Sequence, residues 1–178
     1  MPNILPTRTF PDFTVPTVDG GEFQLSQRLG DNFTLLVFYR GLHCPICKMQ
    51  LRELQRKLGD FAERDVAVAA ISMDAKDRAE QTVEDWGVDE LMIGYGMEED
   101  LARQLGLYIS SGRPDSKEPE IFSEPGMFLV RPDQNLYLAS IQSMPFTRPP
   151  FDQLLQGIDF ALEKDYPARG ELAEAALA

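Results

Sequence analysis

The chain has 178 residues, which is enough for one domain with a full-sized core. Its 43% apolar and 26% charged residues are typical of a folded globular protein rather than a disordered one. The formal net charge of -12 argues against nucleic-acid binding, which needs clustered lysines and arginines. The sequence contains no run of about eighteen apolar residues, so it predicts no membrane-spanning helix. Because residues 1–13 lack the charged-then-apolar order of a secretory signal, we expect a cytoplasmic protein.

The first part of the chain predicts a hairpin, then a strand, a helix and a second strand. Residues 13–25 contain two short strand patterns joined by an Asp-Gly-Gly turn. Residues 33–39 and 66–72 are apolar almost without a break, as in strands that are buried on both faces of a sheet. Between them a helix is predicted from Pro45, where apolar residues begin to recur at steps of three and four. They are Cys47, Leu51, Leu54, Leu58 and Phe61.

The middle of the chain continues the alternation of helices and strands. Asp74 can cap a helix that ends at Trp86, just before Gly87. Residues 91–96 then predict a short strand, and residues 98–106 predict a short helix.

The last part of the chain begins with a long loop over residues 109–126, rich in proline, glycine, serine and glutamate. Long ordered loops are often functional. Two strands (127–132 and 136–142) and a closing helix (150–165) follow. The side chains of this helix that we expect to face inward are Phe151, Leu154, Leu155, Ile158 and Leu162.

This order of elements predicts an α/β fold in one domain spanning residues 1–178. We expect a central mixed sheet, parallel at its start and antiparallel later, flanked by helices and preceded by an added N-terminal β-hairpin. Residues 168–178 are predicted to form a frayed or helical tail.

The only two cysteines, Cys44 and Cys47, lie where a buried strand passes into a helix. Unpaired N–H groups and the partial positive charge of the first helical turn favour a thiolate there. We therefore expect Cys44 to be an exposed nucleophile. Cys47, one turn into the helix, would be the resolving thiol that closes a disulfide with it, and Pro45 would stiffen the turn between them.

Other functions for these residues remain open. The two cysteines could be small apolar residues that fill space, or half of a zinc site completed by carboxylates. His43 could stabilise the Cys44 thiolate when protonated, pass a proton, or have no function. Arg40, at the end of the strand, could supply a fixed positive charge or be an ordinary surface residue.

The segment "YRGLHCPIC" resembles the signature of peroxiredoxin-like proteins in the alkyl hydroperoxide reductase and thiol-specific antioxidant superfamily. Two further segments resemble it, "PDFTVPTVDGGEFQLSQ" and "EPGMFLVRPDQNLY". The resemblance implies a thioredoxin fold, in which Pro125 would be the cis-proline that packs against the active disulfide. It also implies that the loop 109–126 helps to choose the substrate, with Arg148 at the rim of the same site.

The chain also departs from the patterns of both related classes. Typical peroxiredoxins have proline seven residues and threonine or serine three residues before the reactive cysteine, where this chain has Val37 and Gly41. Their arginine at the start of the later strand is replaced by Pro125. Thioredoxins have a buried acid where this chain has Phe38 and a tryptophan where it has His43. We therefore rank disulfide exchange above peroxide reduction.

These observations predict a thiol–disulfide oxidoreductase with an antioxidant role that needs no bound cofactor. Its substrate would be a disulfide or a hydroperoxide, and an external thiol reductant, either a thioredoxin-like protein or glutathione, would restore the two thiols. The alternatives are a hydroperoxide reductase that uses the same cysteines, and a non-catalytic redox sensor or binding module. The resemblance also suggests a homodimer.

Overall fold

The structure is a computed structural model that describes residues 4–172 of the chain. Its strands are β1 (Thr14–Pro16), β2 (Glu22–Gln24), β3 (Phe33–Phe38), β4 (Val66–Ile71), β5 (Ile93–Gly94), β6 (Ile109–Ser111), β7 (Ile121–Ser123), β8 (Gly126–Val130) and β9 (Leu136–Ile141). Its α-helices are α1 (Pro45–Arg56), α2 (Leu58–Ala62), α3 (Lys76–Trp86), α4 (Glu99–Gln104) and α5 (Phe151–Lys164). None of the described helices is long and apolar enough to cross a membrane.

Five strands form the central sheet in the order β5-β4-β3-β8-β9. Strand β3 is parallel to β4, and β4 is parallel to β5, whereas β8 runs antiparallel to both β3 and β9. Every residue of β3 is buried, as its unbroken apolar sequence predicts for a strand with both faces covered. The predicted α/β architecture with a central mixed sheet flanked by helices is therefore confirmed.

Each face of this sheet carries its own apolar core. Leu35 and Val37 of β3 pack on the face covered by α1, α3 and α5. Leu36 and Phe38 point to the opposite face, which is covered by the N-terminal segment, the β1–β2 hairpin and α4. Successive side chains of a strand alternate between the two faces, so β3 contributes to both cores.

The predicted N-terminal hairpin is confirmed as β1 and β2, which pair antiparallel with Thr14 opposite Gln24. Its turn is closed by Asp19, whose carboxylate accepts a hydrogen bond of 3.1 Å from the backbone N–H of Gly21. Gly20 has a φ of 86°, a conformation that glycine adopts without a steric penalty.

Three predicted elements differ in detail. The helix expected over residues 45–61 is divided at Lys57 into α1 and α2. The sequence did not reveal this break, because the apolar spacing that predicted the helix continues across it. The strand expected at 91–96 is only the two residues of β5. The segment 109–126, predicted as a loop, contains the hairpin of β6 and β7, whose three-residue strands are too short to show an alternating pattern.

The closing helix α5 has the predicted bounds within one residue, but its last inward position is wrong. Leu162 is 42% exposed, and Ala161 is buried in its place, because one residue turns a helix by about 100°. Residues 168–172 have no regular structure, and the rest of the predicted tail lies outside the described residues.

Candidate active site

The thiols lie at the start of α1, directly after the central strand β3. Cys44 is the N-cap residue, with extended backbone angles, and Pro45 is the first helical residue. The backbone N–H of Cys47 donates to Cys44 Sγ at 3.4 Å, so the sulfur satisfies one of the unpaired N–H groups of the first turn. Both cysteines are free thiols. The predicted strand-to-helix junction is therefore present.

Arg148 contacts both sulfurs, although the sequence placed it only at the rim. Its Nη2 lies 3.2 Å from Cys47 Sγ and 3.9 Å from Cys44 Sγ. The guanidinium is held in this position because Nε donates to the backbone oxygen of Pro145 at 2.8 Å and Nη1 donates to Gln50 Oε1. A loop between β9 and α5 thus delivers a fixed positive charge to the thiol pair.

A second guanidinium, that of Arg40, lies close enough to Cys44 to contribute to its acidity. This guanidinium forms ion pairs with Glu124 at 3.1 Å and Glu118 at 3.6 Å, and it lies over the Phe122 ring at 4.7 Å from the centroid. Both carboxylates belong to the segment that contains the β6–β7 hairpin. The two ion pairs therefore hold this segment against the end of β3, next to the thiols.

These contacts give the two thiols different acidities. The pKa of Cys44 is lowered from 9.0 to about 5, first by a hydrogen bond from the Cys47 thiol, then by the Cys47 N–H, Arg40 and Arg148, against an opposing effect of burial. Burial raises the pKa of Cys47 well above its ordinary value. At neutral pH the arrangement favours a Cys44 thiolate that accepts a hydrogen bond from a Cys47 thiol.

Cys44 is less exposed than the sequence predicted, and that prediction is wrong. The residue is 1% exposed, because α1 and the segments around it cover its side chain. It nevertheless lines a cavity of about 520 Å³ between the β6–β7 hairpin and the loop after β9. The apolar wall of this active-site cavity is formed by Ile46, Phe122, Met144, Pro145 and Phe146. Since Met144 and Phe146 are each 54% exposed, the cavity opens at the surface.

His43 does not line the active-site cavity. Its ring packs edge-on against Phe122 at 4.7 Å, and neither ring nitrogen has a hydrogen-bond partner among the described residues. Burial, followed by the nearby Arg40 charge, lowers the pKa of His43 to about 4. The imidazole is therefore neutral at pH 7, and stabilisation of the thiolate by a protonated His43 is not supported.

Asp74 has a different function from the one predicted. Helix α3 has Ala75 as its N-cap, without a side-chain cap, so Asp74 does not cap it. Instead, the buried Asp74 carboxylate accepts from the Leu42 N–H at 2.7 Å and from Arg78 Nε at 2.9 Å. It thereby anchors the loop that leads into Cys44, a contact between distant segments that no local pattern could have revealed.

Pro125 immediately precedes β8, as expected, but its peptide bond is trans. The prediction of a cis-proline is therefore wrong. The buried Pro125 accepts a hydrogen bond of 3.0 Å from the N–H of Gln142, which continues the pairing of β8 and β9. The cis geometry is implied only by the resemblance, and no feature of this chain requires it.

The zinc site considered as an alternative is not supported by the structure. Among residues 4–172, no group of three or more histidine, cysteine, aspartate or glutamate side chains is arranged to hold a metal ion.

Comparisons with known proteins show which family the chain resembles over most of its length. The model of the AhpC/TSA family matches residues 6–139, well over half of the chain. Alkyl hydroperoxide reductase C of Helicobacter pylori (strain J99 / ATCC 700824) is 25% identical over 181 positions, covering 97% of this chain and 86% of that protein.

Solved structures confirm the thioredoxin-like fold that the resemblance implied. Peroxidoxin BcpB from Mycobacterium tuberculosis superimposes with a TM-score of 0.70 at 21% identity, covering 88% of this chain and 97% of that one. A variant of the Peroxiredoxin 6 of Arenicola marina gives a TM-score of 0.73 at 24% identity, covering 98% of this chain and 80% of that one.

Proposed function

The chain belongs to the AhpC/TSA family and is a thiol-dependent oxidoreductase, and we propose that it reduces hydroperoxides with Cys44 as the nucleophile. The observation that carries this proposal is the placement of Cys44 in the wall of a cavity while only 1% of the residue is exposed. A small hydroperoxide can enter such a cavity. A protein disulfide must bring its own sulfur into line with the attacking one, which requires an exposed thiol.

This proposal reverses the order that the sequence favoured, and the positions of the charges support the change. The expected arginine at the start of the later strand is absent, but Arg148 brings a guanidinium to the sulfurs from a different loop. Arg40, whose charge is paired with Glu118 and Glu124, adds a hydrogen-bond donor from the end of β3. Positive charge near the sulfur stabilises both the thiolate and the negative charge that develops on the leaving oxygen.

The reaction then proceeds in two steps. The Cys44 thiolate attacks one oxygen of the hydroperoxide, the O–O bond breaks, and the leaving oxygen takes a proton to give an alcohol or water, which leaves Cys44 as a sulfenic acid. The Cys47 thiol attacks the Cys44 sulfur, the S–S bond forms, and the sulfenic oxygen leaves as water with the Cys47 proton. An external thiol reductant, a thioredoxin-like protein or glutathione, returns two electrons and two protons.

The test compares the two oxidants directly. Reduced protein is mixed with hydrogen peroxide or an alkyl hydroperoxide, and separately with a protein disulfide, and formation of the Cys44–Cys47 disulfide is timed. We expect oxidation by the hydroperoxide to be faster. Faster oxidation by the protein disulfide would contradict the proposal and favour disulfide exchange, which the Cys-x-x-Cys pair at the start of α1 also fits.

The two single variants separate the functions of the sulfurs. In Cys47→Ser, a sulfenic acid should accumulate on Cys44, whereas Cys44→Ser should not react with peroxide. If Cys44→Ser formed a sulfenic acid on Cys47 at the wild-type rate, Cys47 rather than Cys44 would be the nucleophile.

Turnover with excess reductant distinguishes an enzyme from a sensor, since a sensor is oxidised only once per molecule.

A further inference from the structure

A second pocket, of about 470 Å³, borders the same loop as the active-site cavity. Leu42 and His43 line this second pocket, whereas the next two residues of the loop, Cys44 and Pro45, line the active-site cavity. We call it the basic pocket, because Lys48, Arg78 and Lys117 contribute to its wall together with Trp86, Gln81, Asp85 and the neutral imidazole of His43. A concentration of basic side chains is unexpected in a chain with a net charge of -12.

The cations of the basic pocket are only partly neutralised. Lys48 donates to the backbone oxygen of Asp85 at 3.0 Å, and among the described residues neither Lys48 nor Lys117 forms an ion pair with a carboxylate. The charge of Arg78 is paired with Asp74 at 2.9 Å. Asp85 is the acidic residue that lines the pocket, and its carboxylate accepts from the Gln81 side chain at 3.1 Å.

Three buried nitrogen atoms at the basic pocket have no hydrogen-bond partner among the described residues. They are Nδ1 and Nε2 of His43 and Nη2 of Arg78. A neutral imidazole carries one N–H, and a guanidinium nitrogen carries only donors. Buried donors without an acceptor are unfavourable, so the single N–H of the His43 ring and the N–H groups of Arg78 Nη2 are suited to a ligand that brings oxygen acceptors.

We propose that the basic pocket binds a small anion through a carboxylate or phosphate group. The lysine ammonium groups supply charge, and one N–H of the His43 ring and the Arg78 Nη2 nitrogen supply directed donors. A nucleic acid does not fit, because the acidic remainder of the surface repels an extended polyanion. The inference does not depend on the reaction proposed above, since it concerns binding by residues outside the active-site cavity.

The chain contains natural reporters for a binding test. Trp86 is its only tryptophan and His43 its only histidine, and both line the basic pocket. Inorganic phosphate and citrate are titrated separately into the reduced protein at constant ionic strength, with chloride as the reference. Trp86 fluorescence and the His43 imidazole resonance are recorded. We expect saturable changes in both signals, and whichever anion binds more tightly identifies phosphate or carboxylate as the preferred group.

The double variant Lys48→Gln/Lys117→Gln should weaken anion binding by about tenfold or more, because it removes two charged donors. The matched control is Lys76→Gln/Lys164→Gln, which removes the same charge from exposed surface ion pairs outside the pocket and should leave affinity within about twofold. The proposal is overturned if neither phosphate nor citrate produces a saturable change. Equal weakening by both double variants would also overturn it, since it would show a general charge effect.

Discussion

The ionisation of Cys44 depends on residues from three separate parts of the chain. Cys47 donates from the first turn of α1, Arg40 lies at the end of β3, and Arg148 reaches the sulfurs from the loop before α5. The first is a local consequence of the Cys-x-x-Cys spacing and could be predicted. The position of Arg148 could not, because it depends on how a loop about a hundred residues later packs against α1.

Replacing Arg148 tests this electrostatic account through the pH dependence of the reaction. The thiolate is the attacking species, so in the wild type the rate of oxidation by peroxide should rise as the pH increases through about 5 and then level off. Arg148→Met removes a cation beside the sulfurs, which should raise the Cys44 pKa by about one unit and move this rise to higher pH. Ultraviolet absorbance of the thiolate against pH gives the pKa independently.

Arg52→Met is the control for that experiment, because Arg52 is an exposed arginine on the same helix. It should leave both the pKa and the rate profile unchanged. If the two variants behave alike, the positive charge of Arg148 does not act on Cys44.

At the scale of elements, the loop between β3 and α1 is held by a contact that links it to the segment before α3. Asp74 accepts from the Leu42 N–H at 2.7 Å, and Gly41 adopts a φ of 126° directly beside the Asp74 carboxylate. A Cβ atom on Gly41 would lie 2.6–2.8 Å from atoms of that carboxylate. The loop conformation ahead of Cys44 therefore requires glycine for two reasons, its backbone angle and its lack of a side chain.

Gly41→Ala should therefore lower the free energy of unfolding by about 1–3 kcal/mol, because the alanine backbone is strained at this φ and its methyl group collides with Asp74. Denaturant unfolding followed by circular dichroism measures the change.

Gly59→Ala makes the same chemical change in helix α2, where a Cβ atom meets no atom within 4 Å. It should leave stability unchanged or raise it by up to about 1 kcal/mol, because alanine favours a helix. A Gly41 variant as stable as the Gly59 variant would mean that the loop relaxes without strain.

For the whole molecule, the defining feature is a sheet with an apolar core on each face. The neighbouring residues Leu35 and Leu36 are both fully buried, yet they belong to different cores. Burial of each leucine side chain stabilises the fold by about 1.5–3 kcal/mol. The two cores together hold β3 in place, and α1 begins from its end.

Leu35→Ala and Leu36→Ala should each lower the free energy of unfolding by about 2–5 kcal/mol, because each leaves a cavity in a packed core. Urea unfolding curves measure both. The control Leu162→Ala, at a side chain that is 42% exposed, should change stability by less than about 0.5 kcal/mol. A small effect at either core position would show that one face of the sheet is not closely packed.

The homodimer suggested by the resemblance stays a prediction, as does the identity of the external reductant. Both concern surfaces that meet other molecules. The apolar patterns of a single chain describe its own core and carry little information about such partners.

The sequence by itself determined the α/β class, the order of the main strands and helices, and the position of Cys44 and Cys47 at the start of α1. These properties follow from local periodicity and from the spacing of neighbouring residues, which a linear pattern displays directly. The β6–β7 hairpin, the trans bond at Pro125 and the burial of Cys44 were decided by tertiary structure. So was the contact of Arg148 with both sulfurs, because distances between segments far apart in the chain depend on how the two cores pack.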